Sequence, residues 1–324
     1  MRSPRPLPTA LGAAFAVHDA KRLGVTDSRL RARDLDAPFW GVRARPAPPP
    51  RAGRDDVVDL EERDALRRIE LFRPRMPAHA FLSHASAARR WRIPLPVLAD
   101  TDVHVGVFRP HRAPRGAGVH GHQLSPDGVE VMEQGGWRVA GPASTWAQLG
   151  QLLSVRDLVA AGDALVNVPR DAFGRRLPPE AALATIAELE QATASIRRIG
   201  AGKLRNALQL VRVGASSRPE SHLRLELVAA GLPEPELDVD ILNAAGRKLG
   251  HSELVYPQFR VVVEYEGDHH RTSARQWNRD IERYEKYAAA GWRVVRITRE
   301  HLYERPGAAV ARVRAELVKA GWRG

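Results

Sequence analysis

The chain has 324 residues, with 50 Lys+Arg against 38 Asp+Glu, a net charge of +12 and no cysteine. At roughly 100–200 residues per domain this length predicts two or three domains. The lack of Cys excludes disulfide scaffolds, thiolate zinc sites and cysteine nucleophiles. No run of about 18 apolar residues offers a membrane span, and the apolar patch at 11–17 is too short for a signal peptide, so a cytoplasmic protein is expected. Only five of the basic residues are Lys, so the bulk charge mostly reflects arginine supply. Its placement says more: residues 1–54 carry a net +7.

In chain order, 15–42 predicts two short helices and a strand. Ala16, Ala20 and Leu23 share a face of the first helix, and Gly24 breaks it. Thr26 is placed to cap a second helix, reaching about 35, that carries Arg29, Arg31 and Arg33. A strand follows at 39–43. Helix, glycine turn, basic helix and wing form the plan by which a winged helix enters the major groove of DNA. The bland alternative is a helical hairpin packed on the next domain. Residues 46–54, with four prolines and two arginines, read as a stiff linker.

Beyond the linker, 55–69 and 83–91 read as helices and 103–107 as an alternating strand. A helix covers 149–168, and two more lie within 180–213, joined at Gly200-Ala201-Gly202. This stretch, 55–213, is expected to be an α+β region. The last third is the most regular. A helix opens at Ser217-Arg218-Pro219-Glu220 and ends at Gly231. Strands follow at 236–242, 249–256 and 260–266. A helix then runs to about 289, with Gly291 as its stop, followed by a strand at 292–297 and a helix at 308–319. The order is α-β-β-β-α-β-α.

Strand alternation puts Glu264 and Glu266 on one face and Val261, Val263 and Tyr265 on the other. Side-by-side carboxylates repel unless a cation or proton lies between them. Glu253, one tight turn away, can face the same spot, and Glu220 lies at the start of the preceding helix. Carboxylate oxygens suit Mg²⁺ or Mn²⁺, and such a metal can orient water for phosphodiester displacement. His269 and His270 follow as candidate proton donors or phosphate ligands. Each residue also has a structural reading. Glu220 stands at capping-box spacing from Ser217, Glu253 could be an edge residue, and Glu264 and Glu266 could line a solvated face. The histidines could be a polar turn. Asp280, Glu282, Arg283 and Glu285 fit an exposed helix face with no chemistry assigned.

A series of motifs runs through this region. It comprises Ser217-x-x-Glu220, Ala230-Gly231-Leu232-Pro233-x-Pro235, Glu253-Leu254-x-Tyr256-Pro257 and Val263-Glu264-Tyr265-Glu266-Gly267-Asp268-x-His270. Trp277-x-x-Asp280-x-x-Arg283 and Ala290-Gly291-Trp292-x-Val294-x-Arg296 complete it. The series resembles the actinobacterial domain of unknown function related to the very-short-patch-repair (Vsr) endonucleases, which have the PD-(D/E)XK restriction-endonuclease-like fold. The resemblance implies an αβββαβ nuclease core. It implies that Glu253 and Glu264 hold the metal, that Glu220 supports it, and that His270 is the histidine after the glycine turn. Glu266, a third candidate metal ligand, stands where many relatives have Asp and the wider superfamily often has Lys. Glu253 replaces the usual Asp.

Upstream, the helix pair resembles the winged-helix domain of AbiEi-type antitoxins. Phe81-Leu82-Ser83-His84-x-Ser86-Ala87-Ala88-Arg89, Leu95-Pro96 and Ala160-Ala161-Gly162-Asp163-Ala164-Leu165-Val166 match the segments that follow it in such proteins. The expected fold is therefore multi-domain α/β. It has a winged-helix/helix-turn-helix domain at 1–45, a Pro-rich linker at 46–54, an AbiEi-like middle at 55–213, and a Vsr-like nuclease-like domain at 216–324. The expected function is a Mg²⁺-dependent DNA endonuclease or nickase. The alternative is a non-catalytic DNA-binding regulator of antitoxin type, with a cognate toxin as partner. A third reading is a partner-binding protein that does not touch DNA.

Overall fold

A computed structural model describes residues 5–46, 57–98, 101–195, 199–267 and 274–324. The chain forms two compact units, Met1–Leu152 with Gln191–Arg198, and Leu153–Glu190 with Ile199–Gly324. Both are mixed α/β. Among the described residues no helix is long and apolar enough to cross a membrane.

The first unit begins with β1 (Ala14–Ala16), α1 (Val17–Arg22), α2 (Asp27–Leu30) and β2 (Val42–Ala44), with β1 and β2 antiparallel. Gly24 takes φ +79°, which ends α1. The Thr26 side chain then accepts the Arg29 backbone N–H at 3.3 Å. Leu11, Phe15, Ala20, Val25 and Leu30 close over this pair as a small core. The second helix stops at Leu30, a turn short of the expected limit near 35, and the strand starts at Val42 instead of residue 39. Arg31 and Arg33 therefore lie beyond the helix, not on it.

Next come α3 (Val57–Phe72), β3 (Phe81–Leu82), α4 (His84–Arg90), β4 (Val103–Phe108), β5 (Val119–Leu124), β6 (Val131–Gln134), β7 (Trp137–Ala140) and α5 (Pro142–Leu149). The five strands form one sheet in the order β5-β4-β3-β7-β6. Ala65, Ile69 and Phe72 repeat at helical spacing and are buried on α3. Three of these strands, β5 to β7, have no clear pattern in the sequence: β5 and β6 are part-exposed along their length and β7 is only four residues long.

The second unit carries α6 (Val155–Val166), then α7 (Ile186–Ala194), which runs across the division, and α8 (Ala201–Leu208). The single helix expected at 149–168 is broken at 150–154, where Ser154 caps α6 by accepting the Asp157 N–H at 3.1 Å. There follow α9 (Arg218–Ala229), β8 (Glu236–Leu242), β9 (Lys248–Tyr256), β10 (Val261–Glu266), α10 (Ala274–Ala289), β11 (Arg293–Thr298) and α11 (Ala308–Lys319). This is the expected α-β-β-β-α-β-α order. The sheet runs β11-β10-β9-β8, with β8, β9 and β10 antiparallel and β11 parallel to β10.

Both faces of this sheet are covered. Val261, Val263, Leu254, Tyr256, Val295 and Ile297 pack with residues of α9 and α11. Ile241, Val255 and Val262 pack with Tyr287 of α10. The valine alternation in β10 thus separates two cores, as the period of two requires. The expected boundary at 213–216 does not divide the units. Residues of α6, α8 and α9 share a core and a buried ion pair, which holds 153–190 with the C-terminal sheet.

Candidate functional site

Glu220 is the third residue of α9, and its backbone N–H donates to the Ser217 hydroxyl at 3.4 Å. Its carboxylate accepts the Ser216 N–H at 2.9 Å and the Ser216 hydroxyl at 3.2 Å. The capping reading of this residue is therefore realised, with Ser216 as the reciprocal partner. Yet Glu220 is buried, and burial pushes its carboxyl above the ordinary range against those hydrogen bonds.

Glu253 lies in β9, where its carboxylate accepts the Tyr265 backbone N–H at 2.9 Å. Burial, followed by the negative charges of Glu220 and Glu264, pushes the Glu253 carboxyl well above its usual value. Glu264, on β10, is buried and faces α10, where Arg283 lies 3.7 Å from its Oε2. Glu253 therefore lies within reach of two like charges, Glu220 and Glu264, and the Arg283 guanidinium stands beside Glu264. Arg283, read from the sequence as a bland surface residue, is drawn into this group and is only 29% exposed.

Glu266 has a cation beside it. Arg296 stands opposite Glu264 in the parallel register of β10 and β11, and its Nε donates to the Glu266 carboxylate. The Arg296 guanidinium also lies over Tyr284, 5.6 Å from the ring centre. Alternation placed Glu264 and Glu266 on one face, but the neighbouring strand supplies Glu266 with its own cation. His270, with His269, lies outside the described residues.

Glu220 and Glu253 open onto a cavity of about 190 Å³, lined also by Asn167, Ser216, Asp238 and His251. Arg170 stands in its wall, 2.6 Å from Asp238 and 2.8 Å from Asp240. His251 is two residues before Glu253 on the same strand face, and burial with the nearby Arg170 pushes its imidazole below the ordinary value. The sequence reading overlooked His251, although its i, i+2 spacing from Glu253 was the available signal.

Among the described residues, no three carboxylates bring ligand atoms within 4.8 Å of one another, whereas His84, His104 and His122 in the first unit do. The sequence reading assigned these histidines no role. The signal it passed over is His120-x-His122, two imidazoles on one face of one strand.

At the N-terminus, Arg29 is not presented to solvent. Its guanidinium makes a two-pronged pair with Asp34 at 2.9 and 2.8 Å and is 11% exposed. Arg31 and Arg33 are exposed.

No family model matches the chain. Two Mycobacterium tuberculosis proteins are similar to part of it: uncharacterized protein MT2308 of strain CDC 1551 / Oshkosh and uncharacterized protein Rv2248 of strain ATCC 25618 / H37Rv. Each is 31% identical over 134 residues, which is 41% of this chain and 49% of the relative. The chain thus spans about half the length of the curated relatives it matches.

Proposed function

We propose that the C-terminal sheet and its helices act as a metal-dependent DNA endonuclease or nickase of the restriction-endonuclease-like type. The observation that carries this reading is the placement of Glu253 on β9 beside Glu264 of the neighbouring β10 and within reach of the charge of Glu220 on α9. A fold retains such a group when a cation or proton relieves it. Glu253 and Glu264 are the residues that would hold Mg²⁺ or Mn²⁺. Two carboxylates suffice, because Mg²⁺ keeps several waters and takes substrate phosphate oxygens as further ligands. When bound, the metal supplies Lewis acidity at a phosphodiester and an oriented water. Glu220 orients the entry to α9 through Ser216 and adds negative charge beside Glu253. Arg283 balances part of the charge on Glu264, a cation in place of the lysine missing at position 266.

The test is plasmid nicking by the full chain with Mg²⁺ or Mn²⁺, beside Glu253→Gln and Glu264→Ala. The wild type should cleave and both variants should not. Absence of cleavage by the wild type across supercoiled, linear and mismatched substrates overturns the reading.

A second reading rests on a separate observation, the exposed Arg31 and Arg33 that follow the N-terminal helix pair. In it the chain binds DNA as an antitoxin-type regulator and does not cut. Phosphate contacts would then give a log–log salt slope of about −0.9 per phosphate neutralised. Salt-dependent binding in a chain that never nicks DNA would favour this second reading.

A further inference from the structure

A second site lies in the first unit, away from the acidic residues. His104 is on β4, and His120 and His122 are on β5, its parallel neighbour. The register pairs His104 with His120 and Gly106 with His122, so all three imidazoles share one face of the sheet. His84 is the first residue of α4 and reaches the same face. Its ring stacks on His122 with centres 3.7 Å apart, and His104 Nδ1 lies 3.0 Å from His122 Nε2. His84 and His104 are buried, His122 is half-buried and His120 is exposed. The group therefore runs from the core to solvent.

We infer that His84, His104 and His122 bind a divalent transition-metal ion of the Zn²⁺ class, with the fourth position open toward solvent. Three observations carry this. The first is distance. The ligand nitrogens of the three rings lie within 4.8 Å of one another. The 3.0 Å His104–His122 separation is close to the about 3.3–3.4 Å edge of a tetrahedron with Zn–N near 2.0–2.1 Å.

The second is support. The Ser83 hydroxyl lies 3.1 Å from His84 Nδ1, the kind of partner that orients a metal-binding imidazole through its other nitrogen. The His84 N–H donates to Gln148 Oε1 at 2.7 Å, and the His104 N–H donates to Ser86 Oγ at 2.9 Å. Both histidine backbones are thus held in place by buried polar side chains.

The third is backbone strain. His84 is buried with φ +48°, in the left-handed region that non-glycine residues rarely enter. Such strain persists where the surroundings fix it, and it gathers at ligand sites.

The donor set chooses the metal. Imidazole nitrogen suits Zn²⁺, Cu²⁺, Ni²⁺ and Co²⁺, whereas Mg²⁺ requires oxygen ligands. This site is therefore chemically distinct from the carboxylate group, and it does not rest on the nuclease reading. Ligation turns His84 out of its stack on His122, since a bound ion lies in the plane of each imidazole it binds.

The experiment uses the full chain, stripped with chelator and titrated with Co²⁺ and then Zn²⁺, followed by calorimetry and by the visible absorption of Co²⁺. The expected result is one Co²⁺ per chain with a tetrahedral-type spectrum, displaced by Zn²⁺ and not by Mg²⁺. His122→Ala and the more conservative His122→Gln should each lower affinity at least about tenfold. Glu264→Ala and the paired variant His79→Ala/His111→Ala, which removes the stacked histidines elsewhere in this unit, should leave it unchanged. No binding by the wild type overturns the inference. So does unchanged affinity in both folded His122 variants, or loss of binding in His79→Ala/His111→Ala.

Discussion

Asp163 and Arg224 form an ion pair cut off from solvent. The Arg224 Nη2 lies 2.9 Å from the Asp163 carboxylate, and the two side chains are 1% and 0% exposed. The pair joins α6 to α9 across 61 residues of sequence. Asp163 also accepts the Ser221 hydroxyl and the Arg212 backbone N–H, each at 2.7 Å, and Arg224 donates to the Leu210 carbonyl at 2.8 Å. Removing one partner leaves the other charge buried without its main counter-charge; Arg224 would keep Glu234, 3.3 Å from its Nη1, so the cost of losing Asp163 falls toward the low end of roughly 3–5 kcal/mol. Asp163→Ala should therefore lose about that much stability in urea titration. The apolar double variant Asp163→Leu/Arg224→Met should recover most of it. Equal loss in the single and double variants would mean that the pair itself stabilises the fold.

The C-terminal order of elements was legible because its signals are local. Valine alternation marked β10, Gly291 marked the end of α10, and Ser217 with Glu220 marked the start of α9. Partnering across the sheet was not legible. Nothing between 260 and 298 says that parallel register will set Arg296 opposite Glu264 and within reach of Glu266. The same holds for Asp163, which reads as one polar residue in an apolar helix until α9 supplies Arg224. His84, His104 and His122 lie 18 to 20 residues apart in the chain, and only the β4–β5 register and the placement of α4 bring them together. Helix length failed near the N-terminus for a related reason. The charged stretch after Leu30 continues helical spacing, but Arg29 is captured by Asp34 in a turn.

His222 gives stability a dependence on acid. Its imidazole is 2% exposed, with Nε2 3.3 Å from Asp157 and Nδ1 3.1 Å from the Tyr303 hydroxyl. Burial lowers its proton affinity below the ordinary 6.5, and the nearby Asp157 carboxylate only partly opposes this. The unfolded chain then takes up the proton first. The contribution of His222 is present above 6.5 and is lost as pH falls through that value toward its folded-state value. Thermal melts should show a smaller drop between pH 7 and pH 5.5 for His222→Gln than for the wild type. An identical drop in both would show that His222 does not titrate between the folded and unfolded states as described.

Arg29, Arg31 and Arg33 should separate by assay. Arg29→Ala removes a two-pronged pair from a largely covered guanidinium, so it should lower stability by about 1 kcal/mol. Arg31→Ala/Arg33→Ala should leave the melting temperature within about a degree, because both side chains are exposed. If the N-terminal segment touches DNA, the double variant should also flatten the salt slope of binding by roughly 2. Equal thermal effects from Arg29→Ala and the double variant would contradict the Arg29–Asp34 assignment.

Gly121 stands between His120 and His122 on β5, and a side chain there has nowhere to go. A Cβ at this position would lie 2.1 Å from the Pro114 carbonyl oxygen and 2.9 Å from the Pro114 nitrogen. These are backbone atoms, so the strain cannot be relieved by turning a rotamer. The strand or the 113–114 segment must move. Gly106, opposite His122 on β4, differs in kind: its Cβ would meet the Phe81 ring at 2.5 Å, and a smaller residue at 81 removes that clash. Overpacking of a tight site costs about 1–3 kcal/mol. Gly121→Ala should fall at or above the top of that range, and no side-chain change nearby should rescue it. Gly106→Ala should be restored in large part by Phe81→Leu. Because any shift of β5 carries His122 with it, Gly121→Ala should also weaken Co²⁺ binding in the folded fraction. Urea titration and a Co²⁺ titration on the same samples check both effects. A Gly121→Ala protein with wild-type stability would show that β5 does not pack against 113–114 as described.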